Sequence, residues 1–256
     1  MVTQGGGIAS GVGGGWAAGL AALHARIAGR FARVEVQERV RRYLVGLLGR
    51  VERKKGWQLA EALGEAGPQG VQRLLNAATW DAEGVRDDLR AYVVEHLGDA
   101  ASGVLIVDET GFVKKGKKSC GVGTQYTGAV GGTANAQVGV FLAYASAKGT
   151  ALVDRALPLP RAWTHDPDDV AFYVAYGPAG TPEAELVRVC GMRWRVEEGF
   201  ARAEGEVGLD QYEVRTWVAW HRFVTLAVLA RAYLAVTPLA ASQDEAAEKR
   251  GAPIPA

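Results

Sequence analysis

Before Gly103 the chain carries helical patterning and no convincing strand; directly after it, Val104-Leu105-Ile106-Val107 is a short uninterrupted apolar run. Four apolar residues bounded by turn residues read as a buried strand, because a strand covered on both faces needs no polar alternation. This change of period excludes an all-helical bundle and predicts an α/β fold preceded by a helical N-terminal region. Upstream, Phe31–Leu48 reads as one amphipathic helix ending near Gly49. Trp57–Leu63 and Gln69–Ala77 are short helices separated by the breaker Glu65-Ala66-Gly67-Pro68. Asp81 can cap a third helix that runs to about Leu97, before Gly98. Downstream, further strands are expected at Gln137–Ser146, Ala151–Leu159 and Val170–Tyr176, with loop signals at Leu157-Pro-Leu-Pro160 and Asp166-Pro167. Thr181 as cap and Pro182 at the first helical position open a long helix to about Glu204. A last helix spans roughly Val214–Val236.

The expected organisation is a flexible Gly-rich segment and helix over 1–30, a helical region over 31–100, an α/β domain over 101–236 and a disordered tail over 237–256. The net charge is +1, so any nucleic-acid surface must come from local clustering of Lys and Arg. Cys120 and Cys190 are the only cysteines. They form no CxxC pair and cannot make a zinc site alone, which points to a reducing cytoplasm. The N-terminus lacks the basic start and apolar run of a signal peptide. The most apolar stretch, Phe223–Val236, is interrupted by Arg231, so no membrane span is expected.

Asp108 follows the first apolar run. A carboxylate at a strand end would sit at the rim of a sheet, where ligands commonly bind, with Glu109-Thr110-Gly111 turning the chain away; a plain turn residue is the other reading. Next comes Lys114-Lys115-Gly116-Lys117-Lys118, a compact positive tip suited to phosphates, or simply a solvated hairpin.

In the helix opened by Pro182, about 100° per residue brings Arg193, Glu197 and Glu204 to within about 40° of one another. Val189, Val196 and Phe200 flank them on one side, and Cys190, Trp194 and Ala201 on the other. Charge down the middle of an apolar stripe reverses the usual amphipathic arrangement. A buried carboxylate needs a partner. For Glu197 that is either Arg193, four residues back, or a metal ion. In the N-terminal region, Trp57–Leu63 and Gln69–Ala77 have helix-turn-helix proportions. Gln72, Arg73 and Asn76 lie on one face of the second helix and are base-edge-reading types. Arg50, Arg53, Lys54 and Lys55 add cations for phosphates. A bundle of short helices with polar faces would look the same.

Taken together, these blocks resemble DDE-type insertion-sequence transposases. Val107-Asp-Glu-Thr-Gly-Phe-Val-Lys-Lys-Gly116 resembles the family's first-aspartate block. Arg193-Trp-Arg-Val-Glu-Glu-Gly-Phe200, then Gly205-Glu-Val-Gly-Leu-Asp-Gln-Tyr212, resembles its last-glutamate block. Gln137–Ser146, Leu159–Thr164, Gly56–Glu61 and Gln72–Asn76 fit in order, and the likeness covers roughly residues 30–236. It implies a ribonuclease H-like core in which Asp108 and Glu197 help hold divalent metal, Mg2+ or Mn2+. It implies DNA at transposon ends as partner, and assembly with further copies or an intact transposase. In such enzymes two metal ions activate water, and then the freed 3′-hydroxyl, for attack on phosphorus.

The chain also departs from the pattern. A second aspartate is expected on a strand between the two blocks, yet only Thr164-His-Asp-Pro-Asp-Asp169 separates Trp163 from Val170–Tyr176. Asp166, Asp168 and Asp169 sit in a Pro-containing loop. The lysine of the last block is replaced by Glu204, whose charge would repel phosphate, and its tyrosine by Cys190. Two carboxylates under-ligate hard cations. The expectation is an incomplete ribonuclease H-like core with impaired strand transfer, or a non-catalytic DNA-binding module.

Overall fold

The computed structural model describes residues 13–160 and 182–251. Among the described residues seven α-helices and four strands follow in the order α1 (Gly13–Ala28), α2 (Val34–Leu48), α3 (Gly56–Ala62), α4 (Gln69–Asn76), α5 (Ala82–Leu97), β1 (Val104–Val113), β2 (Val122–Thr127), β3 (Gly132–Ser146), β4 (Gly149–Ala156), α6 (Glu183–Val207) and α7 (Trp217–Gly251). The helical N-terminal region and the change to sheet after Gly103 are both present. The fold is mixed α/β, consistent with a ribonuclease H-like core.

β3 is the spine of the sheet. β1 pairs antiparallel with it from Val104↔Ala145 to Val113↔Ala136. The opposite edge of β3 is shared end to end, β2 taking Gly132–Gln137 and β4 taking Val140–Ser146, again antiparallel. One apolar core runs from Leu23, Tyr43 and Leu74 in the helical region to Phe141, Trp220 and Phe223 beside the sheet. Asp81 caps α5 as its sequence implies, accepting from Gly84 N.

Three expectations are corrected, and one strand is added. β1 does not stop before Asp108. Glu109–Val113 continue the ladder to Phe112 and Val113, because Phe112 has a buried place on the inner face that rewards extension. The chain therefore does not turn at Glu109-Thr110-Gly111, and Asp108 lies mid-strand, not at a rim. The added strand is β2: Val122-Gly-Thr-Gln-Tyr-Thr127 carries only a weak strand signal of its own and pairs along β3. β4 ends at Ala156, short of Leu159. Finally, α7 runs on to Gly251, past the point where a disordered tail is expected, through Pro238. The Ala, Gln, Glu and Lys beyond it are strong helix formers. The predicted strand Val170–Tyr176 and the loop carrying Asp166, Asp168 and Asp169 lie outside the described residues.

The segment Trp217–Leu239 of α7 is long and apolar enough to cross a membrane, but 67% of that window is buried inside the protein. It is the central core helix, and its buried Arg231 pairs with Glu206 of α6 at 3.2 Å.

Candidate active site and nucleic-acid interface

In β1, alternation sends Ile106, Asp108 and Phe112 to one face and leaves Leu105, Val107 and Val113 exposed on the other. Asp108 is the direct cross-strand partner of Phe141, so the two side chains leave the sheet on the same side. Phe141 is buried there and meets Phe200 of α6 edge-on, with ring centroids 5.4 Å apart. Glu197 precedes Phe200 by one helical turn, a shift of about 4.5 Å along the axis. α6 is oriented by two anchors. At its midpoint Arg195 Nη1 donates to Ser146 O at 2.6 Å. After its end the ring of Tyr212 packs against Phe112 at 5.4 Å. From its midpoint onward α6 therefore runs along β1 in the same direction, and Asp108 and Glu197, each half-buried, lie on the strand and the helix that the Phe141–Phe200 contact joins.

The buried line of α6 is Val196, Phe200, Ala203 and Val207. Glu197 and Glu204 border it, whereas Trp194 is 70% exposed and Ala201 is also outside. The apolar stripe is thus narrower than the sequence implies, and Glu197 stands at its margin. Burial and the charge of Asp210 push the Glu204 carboxyl above its ordinary pKa. The side chain of Arg193 lies outside the described residues. Among the described residues no three His, Cys, Asp or Glu side chains gather into a metal-binding group. Asp108 and Glu197 offer the right hard oxygen donors for Mg2+ or Mn2+, but two carboxylates do not complete the shell such ions require. The fit is therefore partial.

The lysine segment divides. Lys115, Lys117 and Lys118 are exposed, while Lys114 folds inward with Nζ 3.6 Å from the centroid of the Tyr212 ring and 5.8 Å from that of Phe112. Burial lowers the Lys114 ammonium to about 8, against a smaller opposing pull from Asp210; the two ring faces also favour the charged form. The protein holds this charge at a cost below about pH 8, and the cost fades as pH rises from there toward the ordinary lysine value of 10.5. Urea unfolding should therefore show the parent chain gaining stability relative to Lys114→Met across that window. A constant difference between the two proteins would refute the assignment.

Tyr212, which the sequence offers only as the end of the last-glutamate block and not as a site residue, is the hub beneath this lysine. Its hydroxyl donates to Gln137 Oε1 at 2.5 Å and accepts from Trp220 Nε1 at 3.2 Å. Gln137 Nε2 in turn donates to Cys120 O. Nothing in the local sequence marks this network, since its members come from β3, α7 and two loops.

The α4 face is as expected: Gln72, Arg73 and Asn76 are exposed while Val71, Leu74 and Leu75 are buried. Within the basic patch Lys54 is instead 5% exposed. It donates from Nζ to Gly49 O and from its backbone to Gln211 Oε1, both at 2.6 Å, and so fastens the helical region to the loop after α6. Gln72 and the lysine segment line one cleft of about 910 Å³, shared with Lys55, Ser119 and residues 212–215. Asn76 lines a smaller adjoining recess, and Arg73 lines neither.

Comparison with known proteins agrees with this architecture. A family model described as DDE superfamily endonuclease matches residues 27–230. A curated relative, the probable transposase for insertion sequence element IS701 from Microchaete diplosiphon, is 36% identical over 96 residues. The match covers 38% of this chain and 25% of that protein, so the chain matches a quarter of its relative's length. No solved structure matches.

Proposed function

The chain belongs to the DDE superfamily of endonucleases, and from that premise we propose that it is a transposase homologue acting in the cytoplasm on DNA at transposon ends. Asp108 and Glu197 are its metal-facing carboxylates, and metal-dependent strand cutting and transfer are impaired. The observation that supports this reading is the path from Asp108 to its cross-strand partner Phe141, which meets Phe200 one helical turn from Glu197, so that a strand and a helix packed on each other carry the two carboxylates. A divalent ion there would supply charge neutralisation at phosphorus and an activated oxygen nucleophile. The chain's own part is to hold the two carboxylates at fixed separation on rigid elements. Phe141, Phe200 and Val196 keep water from their apolar side.

Impairment follows from the incomplete donor set and from Glu204, an acid where phosphate approaches. The second reading, a DNA-binding module without catalysis that occupies transposon ends in place of an intact transposase, is favoured by the separate cationic cleft. One experiment tests both. Full-length protein is incubated with a cognate transposon-end duplex and Mg2+ or Mn2+, and nicking and gel retardation are read in parallel. Retardation with little or no nicking is expected. Robust nicking lost in both Asp108→Asn and Glu197→Gln would establish the two carboxylates and overturn the impairment. Nicking that survives both substitutions would remove them from the site.

A further inference from the structure

The cleft beside α4 has features that go beyond a basic loop next to a helix. Its walls come from opposite parts of the chain. Lys55, at the start of α3, and Gln72 of α4 stand on one side, Lys115, Lys117 and Lys118 on the other, and Arg215 on the connecting loop between α6 and α7. The acid Glu213 is engaged by Lys55 at 3.2 Å, so cations dominate the lining. The lysine loop is tied down at several points. Asn135 Nδ2 donates to Lys114 O at 2.5 Å and to Gly116 O at 3.1 Å. Cys120 N donates to Arg215 O at 2.8 Å. A cleft built this way is preorganised, and its ligand need not order the loop on arrival.

The lining also discriminates between ligands. Strand-separated nucleic acid is held by open aromatic platforms on which bases stack. The aromatic residue in this lining is Tyr212, which is 7% exposed and capped by the Lys114 ammonium. Cations along the lining, with the amide of Gln72 beside Lys55, suit a continuous phosphate backbone with a polar base edge next to it. Asp108 lies six residues back along β1 from Lys114, about 20 Å at strand rise, so the cleft is separate from the carboxylates.

We infer that this cleft is a preformed phosphate-backbone groove for duplex DNA, lined by the cations Lys55, Lys115, Lys117, Lys118 and Arg215, and with Asn135 as the positioning residue of the lysine loop. The inference takes its ligand class from the proposed function, but its test reads binding and not cutting. Absence of nicking therefore leaves it standing, and its own failure leaves Asp108 and Glu197 untouched.

The test is fluorescence anisotropy of the full chain with a mixed-sequence DNA duplex of two helical turns, across roughly 50 to 200 mM salt. Removing one phosphate-binding cation lowers the slope of log affinity against log salt by about 0.9. The combined variant Lys117→Ala, Lys118→Ala, Arg215→Ala should flatten the slope by about 2.7, and Lys55→Ala by about 0.9 more. Asn135→Ala should weaken binding several-fold with the protein's charge unchanged, in a sample whose thermal unfolding matches the parent. Arg202→Ala, on the exposed side of α6 where Arg202 pairs with Glu198, should change neither slope nor affinity. An unchanged slope in the combined variant, an equal weakening in Arg202→Ala, tighter binding of the single strand than of the duplex, or no binding to the duplex would each overturn the groove.

Discussion

Trp220→Ala should destabilise the protein by about 3–5 kcal/mol, the range for emptying a buried aromatic site. Trp220 is 1% exposed. Its ring lies 3.2 Å from the place a Cβ on Gly139 would occupy, which is why that strand position is glycine: any side chain there would crowd the indole, Phe112 and Phe141. Its Nε1 donates to the Tyr212 hydroxyl, so truncation empties space and also strips a hydrogen bond from the buried network beneath the lysine loop. Domains are stable by only about 5–15 kcal/mol, so this one change removes a large share. Urea unfolding should show a lower midpoint, and Trp220→Phe should recover more than half of the loss by refilling most of the volume. A loss below about 1.5 kcal/mol for Trp220→Ala would mean that the site collapses freely.

The second large effect is an asymmetry around Arg155. This arginine stands on the inner face of β4 with its side chain 2% exposed, bonded to Glu83 at 2.8 Å and Asp154 at 3.4 Å. It joins the first turn of α5 to the sheet. Removing both carboxylates strands a buried guanidinium, and Glu83→Ala with Asp154→Ala should cost about 3–5 kcal/mol. Arg155→Met keeps the apolar stem and leaves Glu83 and Asp154 beside Arg86 and Arg90, so it should cost about 1 kcal/mol or less. The hydrogen bond from Arg155 holds the Glu83 carboxyl below its ordinary value. That contribution is present above the usual carboxylate pKa and is lost as pH falls through the lowered one. Chemical denaturation of the two variants side by side decides the matter; equal losses would show that the charge itself is not what these carboxylates satisfy.

Much of the candidate site was legible because its signals are local. A capping Asp81, a Gly-Pro break, four apolar residues before Asp108 and a helix with carboxylates in its apolar stripe each report on a few neighbouring residues. Two such blocks in the right order suffice to indicate the DDE family. The differences in the first two strands share one cause. Glu109-Thr110-Gly111 look like a turn, and Val122–Thr127 give only a weak strand signal, until β3 offers both a ladder, because strand pairing rewards residues far apart in sequence and local pattern carries little of that reward.

From its residues alone, then, the chain determines its class of fold, the elements that bear Asp108 and Glu197, and the family it belongs to, since period, caps and motifs are short-range properties. Tertiary structure decided what those residues face. It set Asp108 in mid-strand opposite Phe141, turned Lys114 onto Tyr212 and away from solvent, and joined α4 to the lysine loop across one cleft. Those outcomes depend on burial shared among distant segments: a side chain's surroundings, its desolvation and the charges it meets exist only once the chain has packed on itself.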